Sequence, residues 1–203
     1  MNKLLLATRN PGKVQEIKAI LQSLPVQMTS LLDFPQLPDV IEDGQTLEEN
    51  ALKKAKEIYR STVIPTLSDD SGLEVFSLDM RPGVHSARYA GENVSYEANN
   101  KKLLAEMQGY PAVQRKARFR CVVAFAAENV GKTTEGFCLG RIIGEPRGKG
   151  GFGYDPVFVP NGYQETFAEL TPEVKNRISH RAMALRSIKE ILLNFYREFQ
   201  PDR

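Results

Sequence analysis

The chain has 203 residues, 41% of them hydrophobic and 26% charged, with a formal net charge of +2. That is the composition of a soluble globular protein long enough for one large domain or two lobes sharing a core. The near-neutral balance does not suggest a duplex-binding surface and leaves room only for a local basic pocket. The opening run Met1–Ala7 carries too few apolar residues for a signal peptide, and no segment approaches the roughly 20 apolar residues of a membrane span. Cys121 and Cys138 lie in apolar runs without CxxC or Cys/His spacing, as expected of core thiols in a reducing compartment. The expectation is a cytoplasmic protein with neither a membrane nor a nucleic-acid partner.

In chain order, Lys3 to Ala7 reads as a buried strand. Thr8-Arg9-Asn10-Pro11-Gly12-Lys13 follows, and then Val14, Ile17, Ile20, Leu21 and Leu24 recur at helical spacing. Asn10 suits the N-cap and Pro11 the first helical position. A helix start offers free N–H groups and partial positive charge, and Lys13 adds a full charge there. That cation opposes the helix dipole, so it makes most sense beside a bound anion, phosphate above all. An ordinary capped helix with a solvated lysine is the plainer reading. The GxxxxGK[ST] pattern of a Walker loop is absent.

Val26–Leu31 reads as a weaker strand and the Pro-rich stretch 34–38 as loop. Thr46 with Glu49 forms a capping box, predicting a helix from about Leu47 to Tyr59. Glu42 and Asp43 precede it in a loop with a glycine hinge at Gly44. Lys53, Lys54 and Lys56 ride the helix. Ser68-Asp69-Asp70-Ser71-Gly72 then lies between the apolar runs Val63–Leu67 and Leu73–Phe76. In an uninterrupted strand one of the two acids would face the core, and a lone buried carboxylate costs several kcal/mol. The strand is therefore expected to end here, with both acids turned into a cleft. Paired oxygen donors there suit Mg²⁺, with Glu42 or Asp43 as a further ligand; a capped surface turn is the alternative.

Arg81–Tyr89 reads as a compact polar loop, Ser95 as the cap of a helix ending near Met107. Ala117–Ala127 and Thr133–Ile143 read as antiparallel strands joined through Asn129, Gly131 and Lys132. Five of the fifteen glycines fall within residues 144–153. So glycine-rich a run lets backbone approach a ligand. Phe152 and Tyr154 could stack on a flat ring and Asp155 could accept from ring N–H groups; Tyr154 could equally be core, before a strand at Val157–Val159. Ser179 reads as the N-cap of an amphipathic helix through Ala182, Leu185, Ile188, Leu192 and Phe195. His180 and Arg181 open that helix, with Lys175 and Arg177 just upstream. This cluster of cations at a helix start suggests an anionic or oxygen-rich partner. A lysine-bearing helix tip, carboxylates for a divalent ion and groups suited to a polar aromatic ring together describe a nucleoside triphosphate with its metal.

The stretches Thr8–Lys13; Glu42 with Gly44, Thr46 and Asn50-Ala51; Ser68–Gly72; Pro82–Tyr89; Gly150–Pro156; and Glu169-Leu170, Lys175 and Ser179-His180-Arg181 occur in one order through nearly the whole chain. In that order they resemble the inosine triphosphate pyrophosphatase family, also called dITP/XTP pyrophosphatases. The resemblance implies an α/β fold, with a long mixed β-sheet flanked by helices and two lobes around a central cleft within a single domain, 1–203, and a homodimer. It implies Mg²⁺-dependent hydrolysis of ITP, dITP and XTP to the monophosphate and pyrophosphate. By position, Thr8, Arg9, Asn10, Pro11, Gly12, Lys13 and Lys54 would hold the triphosphate, and Ser71 would touch the substrate. Glu42 and Asp70, with Asp69 nearby, would serve the metal, and Asp70 would be the general base. Phe152, Gly153, Tyr154, Asp155, Lys175, His180 and Arg181 would form the base pocket, where Arg181 suits the O6 acceptor of hypoxanthine and xanthine. The other readings are a related house-cleaning pyrophosphatase for other modified nucleotides and a non-catalytic nucleotide-binding module. The second is disfavoured because a pure binder of an anion needs few carboxylates beside it.

Overall fold

The computed structural model describes residues 2–198. Six strands form one mixed sheet flanked by helices, in the order β2-β1-β3-β4-β5-β6. They are β1 (Lys3–Leu6), β2 (Gln27–Ser30), β3 (Thr66–Val75), β4 (Lys116–Ala127), β5 (Val130–Ile142) and β6 (Phe158–Pro160). The helices are α1 (Pro11–Ile20), α2 (Leu47–Thr62), α3 (Tyr96–Glu106), α4 (Pro172–Ile178) and α5 (His180–Glu198). Among the described residues no helix is long and apolar enough to cross a membrane.

The chain divides into two compact units. The first comprises the residues up to Asp70, Cys121–Gly136 and the chain from Arg181 on. The second comprises Ser71–Arg120 and Phe137–His180.

In the first unit β1 pairs in parallel with both β2 and β3. Parallel neighbours need crossover helices, and α1 and α2 supply them on opposite faces. Leu4 and Leu6 of β1 and Leu67 of β3 pack with Val14 and Ile17 of α1 and Leu185, Ile188 and Leu192 of α5. Leu5 and Ala7 point the other way, toward Ile58 of α2. α1 links β1 to β2 across one face and α2 links β2 to β3 across the other, so the place between β1 and β3 beyond the carboxyl end of β1 is a topological switch point, where ligands of open α/β sheets settle. Thr8–Lys13 follows directly on the end of β1, and Asp69-Asp70 lie on β3 just past its last pairing with β1, Leu6 with Leu67.

The second unit is built around Leu73, Val75, Leu103, Phe119, Ile142, Tyr154, Phe158 and Phe167. Its aromatic centre is tight: the Phe119 ring meets Phe158 edge-on at 4.7 Å and stacks on His180 at 4.6 Å. β5 and β6 run antiparallel. β4 and β5 are neighbours joined only by Glu128-Asn129, which allows no other direction than antiparallel. Gly131 and Lys132, expected in the connection, already belong to β5, because Asn129 takes the left-handed conformation a tight hairpin requires (φ 56°). Lys175 and Arg177, upstream of the last helix, sit in α4, a short helix capped by Thr171.

The expected strand break at Ser68–Gly72 does not occur: β3 runs unbroken for 10 residues through both acids. The reason is electrostatic. The acid that faces inward has cations waiting for it, as described below, so burial exacts no unpaired charge.

One local strain is visible. Val63 closes α2 in the left-handed conformation (φ 56°), its N–H bonded to Tyr59 O at 2.7 Å. This position favours glycine, and a β-branched residue there costs roughly 1–2 kcal/mol. The side chain is 74% exposed and so gains little by packing. Val63→Gly is expected to raise stability by about 1 kcal/mol, or roughly 2–4 °C in Tm for a chain of this size. Calorimetry would check it; a lower Tm would mean that glycine's added freedom in the unfolded chain outweighs the relieved strain.

Candidate active site

Alternation along β3 sends its two acids to opposite faces of the sheet. Leu67 and Asp69 face α1 and α5; Ser68 and Asp70 face α2. The partners follow that division. Asp69 accepts from Nε and Nη2 of Arg181 at 3.1 and 2.9 Å and lies 3.0 Å from Lys13 Nζ. Ser68 donates to the Ala51 carbonyl of α2, and Asp70 lies 4.0 Å from Lys54 Nζ.

Each environment sets the protonation of its acid. Burial by itself would raise the Asp69 carboxyl, but Lys13 and Arg181 overcome it and hold Asp69 far below the usual carboxylate range. Arg181 is only 1% exposed. Burial works against its charge, yet Asp69 and then Glu16 keep it firmly protonated. Its Nη1 donates to Glu16 Oε2 at 2.5 Å. Asp70 moves the opposite way: burial raises its carboxyl above the ordinary range, Lys54 opposes and Glu42 adds to the rise. Lys54 is buried, which disfavours its charge, but Asp70 and Glu42 more than restore it.

The loop before α2 is held in place from the helix. Asn50 Oδ1 accepts from Gly44 N at 2.8 Å, and the Thr46–Glu49 capping box closes the helix start. Glu42 then reaches Lys54 Nζ at 2.6 Å. Lys53 instead pairs at the surface with Asp43, so Lys54 is the lysine that turns inward. Glu42 and Asp70 thus approach one shared ammonium. Among the described residues no group of three or more His, Cys, Asp or Glu is poised to hold a metal.

At the α1 start Asn10 Oδ1 accepts from the N–H groups of Gly12 and Lys13 at 2.9 and 3.2 Å, with Pro11 at the first helical turn. Thr8 Oγ1 accepts from Asn10 N. Arg9 does not join them by its side chain. Its guanidinium bonds to Asp39 and to the carbonyls of Leu31, Phe34 and Leu37. Four acceptors from 31–39 thus surround its fork, and the guanidinium fastens that loop.

In the second unit, Asp155 Oδ2 accepts from Phe152 N at 2.8 Å and from Lys175 Nζ at 2.5 Å. Lys175 Nζ also sits 4.7 Å from the Phe152 ring centre. Gly151 makes this turn possible, because its φ is 70° and a Cβ there would collide with the Asp155 carboxylate. Gly153 O accepts from Asn100. Tyr154 is buried, and its hydroxyl donates to Ser86 O at 2.9 Å, the core placement left open in the sequence. Ser71 follows Asp70 on β3 and is half-buried. His180 stacks flat on Phe119, 9° between planes. Phe152, Asp155 and Lys175 are thus in mutual contact.

Arg181 bonds to Asp69 and Glu16, and Asp69 Oδ2 meets both Arg181 and Lys13. Glu16 was not foreseen; its signal was its place on α1 three residues after Lys13, on the same face. Nothing in the sequence pointed to Asn50 as the anchor of the Glu42 loop or to Phe119 as the support of His180.

Comparison with known proteins places this arrangement. A family model described as the Ham1 family matches residues 4–191. A dITP/XTP pyrophosphatase of Geobacter sulfurreducens is 53% identical over 95% of this chain and 97% of its own length. One from Geobacillus kaustophilus is 50% identical over 94% of both chains. The structure of a HAM1 protein from Coxiella burnetii superposes with a TM-score of 0.86 at 39% identity, covering 96% of this chain and all of the other. That of a nucleoside-triphosphatase, or dITP/XTP pyrophosphatase, from Mycobacterium abscessus gives 0.74 at 42% identity, covering 92% and 98%.

The two acids predict opposite stability effects in metal-free buffer. Asp69 has a depressed carboxyl, so its contribution is full above the unfolded value near 4 and fades as pH falls below it. Asp69→Asn should cost about 3 kcal/mol at pH 7, since it leaves cations short of a buried partner, and the gap from wild type should narrow below pH 4. Asp70 has a raised carboxyl, so its ionisation lowers stability as pH climbs through the raised value. Asp70→Asn should therefore be no less stable than wild type at pH 7. Urea denaturation across pH 3–8 tests both, and equal losses for the two variants would overturn the division.

Proposed function

The chain belongs to the Ham1 family, and on that footing we propose that it is a hydrolase converting the purine nucleoside triphosphates dITP, XTP and ITP to the monophosphate and pyrophosphate. The observation that carries the reading is the gathering of Lys13, Lys54, Glu42 and Asp70 about the end of β1 and the stretch of β3 just past its pairing with β1. Cations there suit a polyphosphate, and a carboxylate of raised basicity suits the activation of water.

In this reading water attacks the α-phosphorus and gives its proton to Asp70. The bond from the α-phosphorus to the α–β bridging oxygen breaks, and that oxygen leaves with pyrophosphate. Lys13 and the α1 start bind the phosphates, and Lys54 balances the charge gathering on oxygen. Thr8 and Asn10 shape the turn that presents Lys13. The donor set fits Mg²⁺. Glu42 and Asp70 already converge on one positive centre, and Mg²⁺ takes few carboxylates, filling its shell from phosphate oxygens and water. Glu42 and Asp70 would hold the ion, which would neutralise charge on the phosphate oxygens; Asp69 serves the protein's own cations.

The flat ring of the substrate would be met by Phe152, with Asp155, Lys175 and His180 as its polar neighbours. Hypoxanthine and xanthine present O6 as an acceptor, and a fixed donor matches it. Adenine presents an amino group there, and a buried donor left facing a donor costs ~1–3 kcal/mol. A homodimer and a cytoplasmic setting belong to the same proposal; both cysteines are buried free thiols, as a reducing compartment allows.

A panel of ITP, dITP, XTP, the four standard ribonucleotides and methylated and pyrimidine analogues, assayed for pyrophosphate with and without Mg²⁺, tests the reading. The expected result is Mg²⁺-dependent release from ITP, dITP and XTP, abolished by Asp70→Asn in a folded protein. Preferred release from modified pyrimidines would favour a related house-cleaning enzyme instead, and ITP binding without product a sensor.

A further inference from the structure

Four charged side chains in the first unit form a line. Lys13 Nζ contacts Asp69 Oδ2 at 3.0 Å. The same oxygen accepts from Arg181 Nε and Nη2 at 3.1 and 2.9 Å. Arg181 Nη1 then donates to Glu16 Oε2 at 2.5 Å. Lys13 and Glu16 stand three residues apart on α1, so one helix face supplies both ends of the line. The charges sum to zero. Arg181 and Asp69 are essentially sealed, with 2% and 1% of their side chains exposed, while Glu16 keeps 12% and Lys13 19%.

The reaction asks something particular of this line. Lys13 is the cation offered to the polyphosphate, yet its ammonium is already held by Asp69. An incoming phosphate must compete with that carboxylate. How hard Asp69 holds Lys13 depends on how much of its charge Arg181 absorbs, and that depends on what else Arg181 serves. Glu16 takes Nη1 and part of the guanidinium charge, leaving Asp69 correspondingly more available to Lys13.

We propose that Glu16 is a positioning residue for polyphosphate capture: by sharing Arg181 with Asp69 it sets the strength with which Asp69 retains Lys13 against an incoming phosphate chain. The proposal rests on the pyrophosphohydrolase reading above. It also explains why a carboxylate is tolerated on the helix face that would meet an anion. Without it the binding site would carry one more positive charge and would hold pyrophosphate, the product, more firmly.

The test compares wild type, Glu16→Gln and Glu16→Asp, with circular dichroism as the check on folding. Inorganic tripolyphosphate binding is measured by calorimetry in metal-free buffer at several salt concentrations, and ITP turnover separately. Glu16→Gln should bind tripolyphosphate about 3- to 10-fold more tightly, the scale of removing one carboxylate charge from a partly screened site. Its binding should weaken more steeply with salt, and KM for ITP should fall without a rise in kcat. Glu16→Asp keeps the charge and should stay near wild type. A purely structural role would weaken binding or lower kcat, and would not tighten anything. Unchanged or weaker tripolyphosphate binding by folded Glu16→Gln, in a wild type that turns over ITP, overturns the inference alone. A wild type that releases no pyrophosphate from any nucleotide overturns the functional reading instead.

Discussion

Two adjacent carboxylates on one unbroken strand cannot share an environment, and the rest of the first unit is arranged to satisfy that constraint. β3 sends Asp69 toward α1 and α5 and Asp70 toward α2. Each meets lysine, but with different company. Asp69 has Lys13 and Arg181 and is held firmly ionised. Asp70 has Lys54, with Glu42 as a competing negative neighbour, and is made more basic. A side-chain alternation fixed by strand geometry thereby gives two neighbouring carboxylates opposite acidities.

The topology explains why the division falls where it does. The β1–β2 crossover covers one face of the sheet and the β2–β3 crossover the other, so the end of β1 and the neighbouring stretch of β3 have a helix on either side. α1 begins there and brings Lys13; α2 lies on the other face and brings Lys54; the start of α5 supplies Arg181. Burying Arg181 at 1% exposure is tolerable only because two carboxylates take its hydrogens. Such a network is no large source of net stability against a well-packed apolar alternative, but removing one member of it is costly. Charges so locked keep their geometry, which a site that must place a polyphosphate needs.

Much of this was legible beforehand. Asn10 before Pro11, and Thr46 before Glu49, announce helix starts through backbone chemistry that depends on few neighbours, and both caps are present. The alternating and continuous apolar runs located the strands to within a few residues. The ordered motifs identified the family that the comparisons bear out. The failures share one cause: they turn on partners distant in sequence. The strand was expected to break at Asp69-Asp70 because nothing local could neutralise a buried acid; Arg181, 112 residues away, does so. The partners of Arg9 were hidden for the same reason: they are loop carbonyls of 31–39. The bonds of Arg181 to Asp69 and Glu16 were equally out of sight. Lys53 and Lys54 could not be separated until the helix phase was fixed; it turns only Lys54 inward.

The division of labour between the two acids is tested most directly by metal binding rather than by rate. Mn²⁺ would be titrated, with electron paramagnetic resonance detection, into the protein saturated with an α,β-methylene analogue of dITP. The wild type is compared with Asp69→Asn and Asp70→Asn under conditions where both remain folded. If Asp70 serves the ion and Asp69 the protein's own cations, Asp70→Asn weakens Mn²⁺ binding by about tenfold or more, while Asp69→Asn leaves it within about twofold. The reverse pattern, with Asp69→Asn losing the metal and Asp70→Asn keeping it, would contradict the account.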